Sequence, residues 1–193
     1  MIDLEPPLRL ANEADAHELA DLVNFAGEGM PYYLWTGLAE GDQDPWEIGR
    51  ARQAEKAGDG QIVVVDHGNG AVASLTGYKI GMAPIEISED FPALFRPLQE
   101  LENQALGSWY VNVLACYPEH RGQGLGSRLL DLADDIARAK NISRMSVIVA
   151  SANTGARRLY ERKGYGELAR APCVKEDWET ESEDWVLLVK ELI

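Results

Sequence analysis

The chain has 193 residues, 46% of them hydrophobic, which suits one α/β domain with a buried core and excludes a disordered chain. Its formal charge of −14 argues against general nucleic-acid or anionic-membrane binding and favours approach of a cationic small molecule or a lysine-bearing peptide. The opening residues carry no basic or apolar signal segment, and the longest apolar runs, such as Ile62–Val65, are too short to span a bilayer. Cys116 and Cys173 read as two reduced thiols, so a cytoplasmic protein is expected.

A short strand is predicted near Leu8–Leu10, then a helix over Glu13–Phe25 with Ala16, Leu19, Ala20 and Val23 on one face. Met30–Trp35 and Pro45–Ala57 read as further helical pieces. Gln61–Asp66 and Ala71–Ile80 form a hairpin around the turn Asp66-His67-Gly68-Asn69-Gly70. Phe91–Leu106 interrupts the strands with Phe91, Leu94, Phe95, Leu98 and Leu101 at helical spacing, and Pro97 breaks or restarts that helix. Ser108–Cys116 alternates Trp109, Val111, Val113 and Ala115 with Tyr110, Asn112, Leu114 and Cys116, the pattern of a strand. Leu125–Lys140 carries one apolar stripe of Leu125, Leu129, Leu132 and Ile136. A β run at Arg144–Ala150, a helix at Asn153–Lys163 stopped by Gly164, and closing strands at Tyr165–Ala169 and Trp185–Leu192 complete a mixed α/β pattern. No linker or repeat divides the chain.

Between the strand ending at Cys116 and the helix starting at Leu125, three alternating glycines, Gly122, Gly124 and Gly126, stand beside Arg121 and Arg128. No acidic residue occurs from Arg121 to Leu130 in an otherwise acidic chain. Bare backbone at a helix start, with four amides lacking intrahelical partners and a positive dipole end, is an anion site suited to phosphates. A Walker loop needs a Gly-Lys-Ser/Thr ending and a Rossmann loop needs G-x-G-x-x-G; neither is present.

The spacing Arg121-x-x-Gly124-x-Gly126 resembles the R/Q-x-x-G-x-G/A motif of the GCN5-related N-acetyltransferase (GNAT) superfamily. Downstream, Asn153-x-x-Ala156-x-x-Leu159-Tyr160-x-x-x-Gly164-Tyr165 is similar to the second motif of that superfamily. The similarity covers about Trp109 to Tyr165, and the flanking segments match in element order. The resemblance implies a single GNAT domain over residues 1–193. Its mixed central sheet would have about six to seven strands flanked by helices and splay between the fourth and fifth. Residues 82–107 would be a helical insertion between the third and fourth strands.

The resemblance further implies acetyl-CoA as cosubstrate, with no metal. The backbone of Leu114, Ala115 and Cys116 would bond pantetheine, and Arg121, Gly122, Gln123, Gly124, Leu125, Gly126 and Ser127 would hold the pyrophosphate. Asn153 corresponds to an asparagine contacting pantetheine or an ordered water, and as a helix N-cap it satisfies a second reading. Tyr160 corresponds to the general acid for the departing thiolate; packing beside Leu159 is the competing account. Its ordinary pKa of about 10 keeps it able to donate. Some relatives place a glutamate five positions before the asparagine, where this chain has Ile148. Glu100 and Glu102 are the candidates for a base on the acceptor side, Glu102 first, and Tyr110 and Asn112 for positioning a water; a solvated helix face competes for both glutamates. Cys116 reads as a packed strand thiol, and His17, His67 and His120 show no metal-ligand spacing.

The implied function is acetyl transfer to a primary amine of a small molecule or peptide, without a covalent enzyme intermediate. A non-catalytic acyl-CoA sensor with the same fold is the alternative, and a nucleotide-binding regulatory domain is a third reading that the spacing disfavours. Tyr32, Tyr33 and Trp35 offer an aromatic wall to the acceptor or to the core. The acidic stretch Lys175–Asp184 with Trp178 offers a cap for an ammonium group or a solvated loop. Met82–Gly107 is expected over or beside the acceptor cleft, or at a dimer contact, in a monomer or homodimer.

Overall fold

The computed structural model describes residues 4–193, in two compact units: residues up to Gly77 with Val113–Leu129, and Tyr78–Asn112 with Leu130–Ile193. Seven strands form a mixed sheet in the order β1-β2-β3-β4-β5-β7-β6. They are β1 (Leu8–Leu10), β2 (Val63–Asp66), β3 (Ala71–Lys79), β4 (Trp109–Cys116), β5 (Arg144–Ala150), β6 (Gly166–Pro172) and β7 (Asp184–Glu191). The helices are α1 (Ala16–Ala26), α2 (Met30–Leu38), α3 (Pro45–Gly58), α4 (Arg96–Glu102), α5 (Leu125–Ala139) and α6 (Thr154–Arg162). The mixed sheet flanked by helices is the predicted fold class.

In the first unit β1, β2 and β3 pair antiparallel, Leu8 opposite Val65 and Val63 opposite Leu75. Arg9 fastens this corner. Its guanidinium donates to both Asp15 carboxylate oxygens at 2.6 and 2.7 Å and to Asp66 Oδ2 at 2.8 and 2.9 Å. Asp66 Oδ1 accepts in turn from the amides of Gly68 and Gly70, which shapes the hairpin turn. The hydrogen bonds from Arg9 hold the Asp15 carboxyl below the usual carboxylate range. Asn12 and Asp15 make a reciprocal cap, so the predicted helix from Glu13 opens as a 3-10 turn over Glu13–Asp15 before α1 begins. Helices α1, α2 and α3 pack on one another, with Leu19, Ala57, Ile62 and Val64 in the buried cluster. Trp35 is buried against Gly49, where a Cβ would meet its ring at 2.5 Å. That assigns Trp35 to the core; Tyr32 stays partly exposed against Trp46, ring centroids 5.2 Å apart.

In the second unit β4 and β5 run parallel, Trp109 opposite Met145 and Val111 opposite Val147, and β7 pairs antiparallel with β5 and β6. Pro97 falls in the first turn of α4, where its missing N–H costs nothing, so it restarts the helix. That helix packs on β5, β6 and β7 with Leu101 fully buried. The helical half of the Met82–Gly107 segment is therefore part of the core packing, while residues 81–86 are exposed. Two backbone bonds close the neck of the segment: Gly107 N–H to the Gly81 carbonyl (3.1 Å) and Ile80 N–H to the Ser108 carbonyl (2.9 Å). Asn103 pins the exposed loop through paired bonds with the Ile85 backbone, 2.9 and 2.8 Å. No helix among the described residues is long and apolar enough to cross a membrane.

Candidate active site

The glycine loop lies in the first unit. β4 ends at Cys116 and Tyr117 turns the chain, tied by its amide to the Val72 carbonyl (3.0 Å) and by its hydroxyl, which donates to Asp21 Oδ2 (2.6 Å). Phe25 packs edge-on against the same ring. After a 3-10 turn at Pro118–His120 the chain passes through Gly122 at φ +75° and Gly124 at φ +83°. These are left-handed conformations that glycine adopts without the clash other residues suffer. A Cβ built on either glycine would meet nothing within 4 Å, so the backbone faces open space. Arg128 N–H donates to the Gly124 carbonyl at 3.0 Å, which makes Gly124 the residue that opens α5. The amides of Leu125, Gly126 and Ser127 then have no carbonyl one turn back to reach.

Arg121 and Gln123 are exposed and bond back to the loop, Arg121 Nε to the Cys116 carbonyl at 3.3 Å and Gln123 Nε2 to the Glu119 carbonyl at 3.4 Å. Upstream in β4, Leu114 and Cys116 are half-buried and Ala115 is buried against Leu22 and Val113. Burial pushes the Cys116 thiol up, away from the thiolate that a nucleophile needs.

A second group of predicted residues lies in the second unit. Asn153 caps α6, its Oδ1 accepting from Ala156 N–H at 3.0 Å. Two turns on, Tyr160 is 5% exposed, its ring edge-on to Tyr165 at 5.6 Å. Burial raises the Tyr160 phenol above the ordinary tyrosine range, so it stays protonated at neutral pH. Glu102, the last residue of α4, is half-buried, and burial raises its carboxyl too. Tyr78 O–H donates to Glu102 Oε2 at 3.3 Å, and the Tyr78 ring packs edge-on against Tyr110, centroids 5.3 Å apart. Burial, and then the nearby charge of Glu102, push the enclosed Tyr110 phenol well up.

Some predicted residues do not join this group. Glu100 and Asn112 are exposed, and Ile148 pairs with Leu187 in the sheet. The loop Lys175–Glu181 surrounds a surface concavity, but Trp178 is buried and stacked on Trp185 at 5.7 Å with the planes 9° apart. The stacking covers one face of the Trp178 ring, and the acidic side chains of the loop line the concavity with it. Tyr78 carries no motif in the sequence. Its only signal is its place near the end of a strand before the inserted segment. Among the described residues no group of three or more His, Cys, Asp or Glu side chains is arranged to hold a metal.

Residues 31–165 match the model of the Acetyltransferase (GNAT) family, and the chain belongs to that family. It is 27% identical over 152 residues to N-alpha-acetyltransferase 40 of Saccharomyces cerevisiae, a match covering 75% of this chain and 50% of the yeast protein. The match thus spans about half the length of that curated relative. The fold is similar to that of mosquito arylalkylamine N-acetyltransferase like 5b, with a TM-score of 0.66 and 17% identity, over 96% of this chain and 99% of the other. It is also similar to yncA of Salmonella typhimurium, solved with its cofactor acetyl-CoA, with a TM-score of 0.59 and 19% identity over 96% and 93% of the two chains.

Proposed function

We propose that the protein transfers the acetyl group of acetyl-CoA directly to a primary amine of a small molecule or peptide. The observation that carries this reading is the glycine loop: amides at a helix start, bared by Gly122 and Gly124, in a chain of the GNAT family. In this reading the amides from Gly122 to Ser127 hold the pyrophosphate, with Arg121 beside them, and the backbone of Leu114, Ala115 and Cys116 bonds pantetheine. Asn153 orders the start of α6 and with it Tyr160.

The chemistry needs one group to take a proton and one to give one. The acceptor arrives as its ammonium form and passes a proton to Glu102. The free nitrogen attacks the thioester carbon, and the C–S bond breaks as the C–N bond forms. Tyr160 donates its proton to the departing sulfur and regains one from the amine nitrogen through water. Glu102 releases its proton to solvent, so the sum is an ammonium plus a thioester giving an amide, a thiol and one proton. The raised carboxyl of Glu102 and the protonated phenol of Tyr160 suit these opposite duties. The similarity to an N-alpha-acetyltransferase supports peptide amino termini among the acceptors, and the charge of −14 favours basic ones.

Incubation of the protein with acetyl-CoA and a panel of small amines and peptides, read by thiol release and product mass, tests the reading. A product heavier by one acetyl group, with stoichiometric thiol, is expected for at least one basic amine. Tight acetyl-CoA binding with no thiol release across the panel would leave a sensor in its place.

A further inference from the structure

We propose that Tyr78 is the positioning residue of the acceptor-side base: its phenol hydroxyl, bonded to Glu102 Oε2 at 3.3 Å, aims the carboxylate. The inference rests on the reading of Glu102 as the base.

The need for such a partner follows from where Glu102 stands. It closes α4, at the helix end where the dipole is negative, and it is half-buried; both disfavour a carboxylate. Among the described residues no lysine or arginine pairs with it, because the cations on neighbouring elements are taken. The strands packed on α4 bring Arg144, held by Glu191; Arg170, held by Glu167 and Asp184; and Lys190, held by Asp134. Lys79 follows Tyr78 on β3, and successive strand side chains leave opposite faces. On α4 itself Glu100 is exposed and Arg96 donates to the backbone carbonyls of Ser88, Glu89 and Phe91, and from β4 the nearby group is the neutral phenol of Tyr110. The Tyr78 hydrogen bond is thus the local interaction that favours the charged form of Glu102.

Tyr78 is built for that duty. Burial, followed by the charge of Glu102, drives its phenol up, so it donates without ever giving up its proton. The ring is braced edge-on by Tyr110, while 40% of the residue remains exposed. A braced ring with an open side can steer a carboxylate toward an incoming ammonium, and a second carboxylate oxygen stays free to accept its proton.

A base works only when deprotonated, and a hydrogen bond to its charged form lowers its pKa. Removing that bond raises the pKa, and the acid limb of the pH–rate profile moves to higher pH. The titration of the amine itself is common to all variants and cancels in the comparison.

The test compares kcat/KM against pH for the unaltered protein, Tyr78→Phe and Glu102→Gln, with one amine accepted in the panel. Tyr78→Phe is expected to move the acid limb upward by about one pH unit, the worth of one hydrogen bond to a charged group. Acetyl-CoA affinity should not change, which a general loss of structure would not allow. Glu102→Gln is expected to abolish the limb together with most of the turnover. An unmoved limb in folded Tyr78→Phe, with the limb lost in Glu102→Gln, overturns the role of Tyr78 alone. A limb that survives in Glu102→Gln overturns the base reading itself. A second measurement needs no change at Tyr78: the Glu102 carboxyl carbon, assigned by its loss in Glu102→Gln, should show an isotope shift when the bonded hydroxyl exchanges from O–H to O–D. Its absence would also overturn the proposal.

Discussion

Replacing Gly124 by aspartate should abolish acetyl-CoA binding in a protein that still folds. The position is exposed and a Cβ there would meet no atom within 4 Å, so no packing is lost. The residue sits at φ +83°, and a non-glycine side chain there costs about 1–2 kcal/mol. The larger effect is electrostatic. A carboxylate about 4 Å from one phosphate charge costs about 4 kcal/mol at the effective dielectric of a protein surface. Affinity should therefore fall by at least about 100-fold, since each 1.4 kcal/mol is tenfold. Gly124→Ala carries only the backbone strain, which is the same with and without ligand, so it should melt earlier with little change in affinity. Calorimetry against acetyl-CoA, with a thermal melt to confirm the fold, reads both variants. Equal affinity in Gly124→Asp and the unaltered protein would move the phosphate site elsewhere.

Tyr160→Phe should lower kcat by about 100-fold or more, the usual worth of a positioned general acid, with little change in acetyl-CoA affinity. Phenylalanine keeps the ring that packs edge-on against Tyr165, so the helix and its burial survive. What disappears is a proton held on a phenol that burial keeps neutral at working pH. The thiolate must then leave unprotonated or take its proton from water. Single-turnover rates with a saturating amine separate this step from product release. An unchanged rate would remove Tyr160 from the acid role and leave it as packing.

Local pattern was enough for much of this. Arg144–Ala150 reads as a β run and forms β5 with those bounds, and Leu125, Leu129 and Leu132 of the α5 stripe are buried. The three alternating glycines were legible as bare backbone at a helix start, and Gly122 and Gly124, though not Gly126, take left-handed angles there. Contacts made across long sequence separations were not. Tyr78 and Glu102 are 24 positions apart and meet because the neck at Gly81 and Gly107 returns the chain beside β3. No periodicity within either segment announces that meeting. Trp178 sits among acids and reads as solvent-facing, yet its stacking on Trp185 of β7 buries it. The start of α1 shifted for a local reason that was visible but subtle, the reciprocal cap of Asn12 and Asp15.

In the proposed function, backbone amides of the 122–127 loop grip a diphosphate. The most direct measurement titrates the unaltered protein in parallel with acetyl-CoA and with acetyl-pantetheine, which carries the same thioester and lacks the diphosphate. Acetyl-CoA should bind with one-to-one stoichiometry and at least about 100-fold more tightly, because charge-assisted bonds to the phosphates add roughly 3 kcal/mol or more. Equal affinity for the two compounds, or no binding of acetyl-CoA, would contradict it.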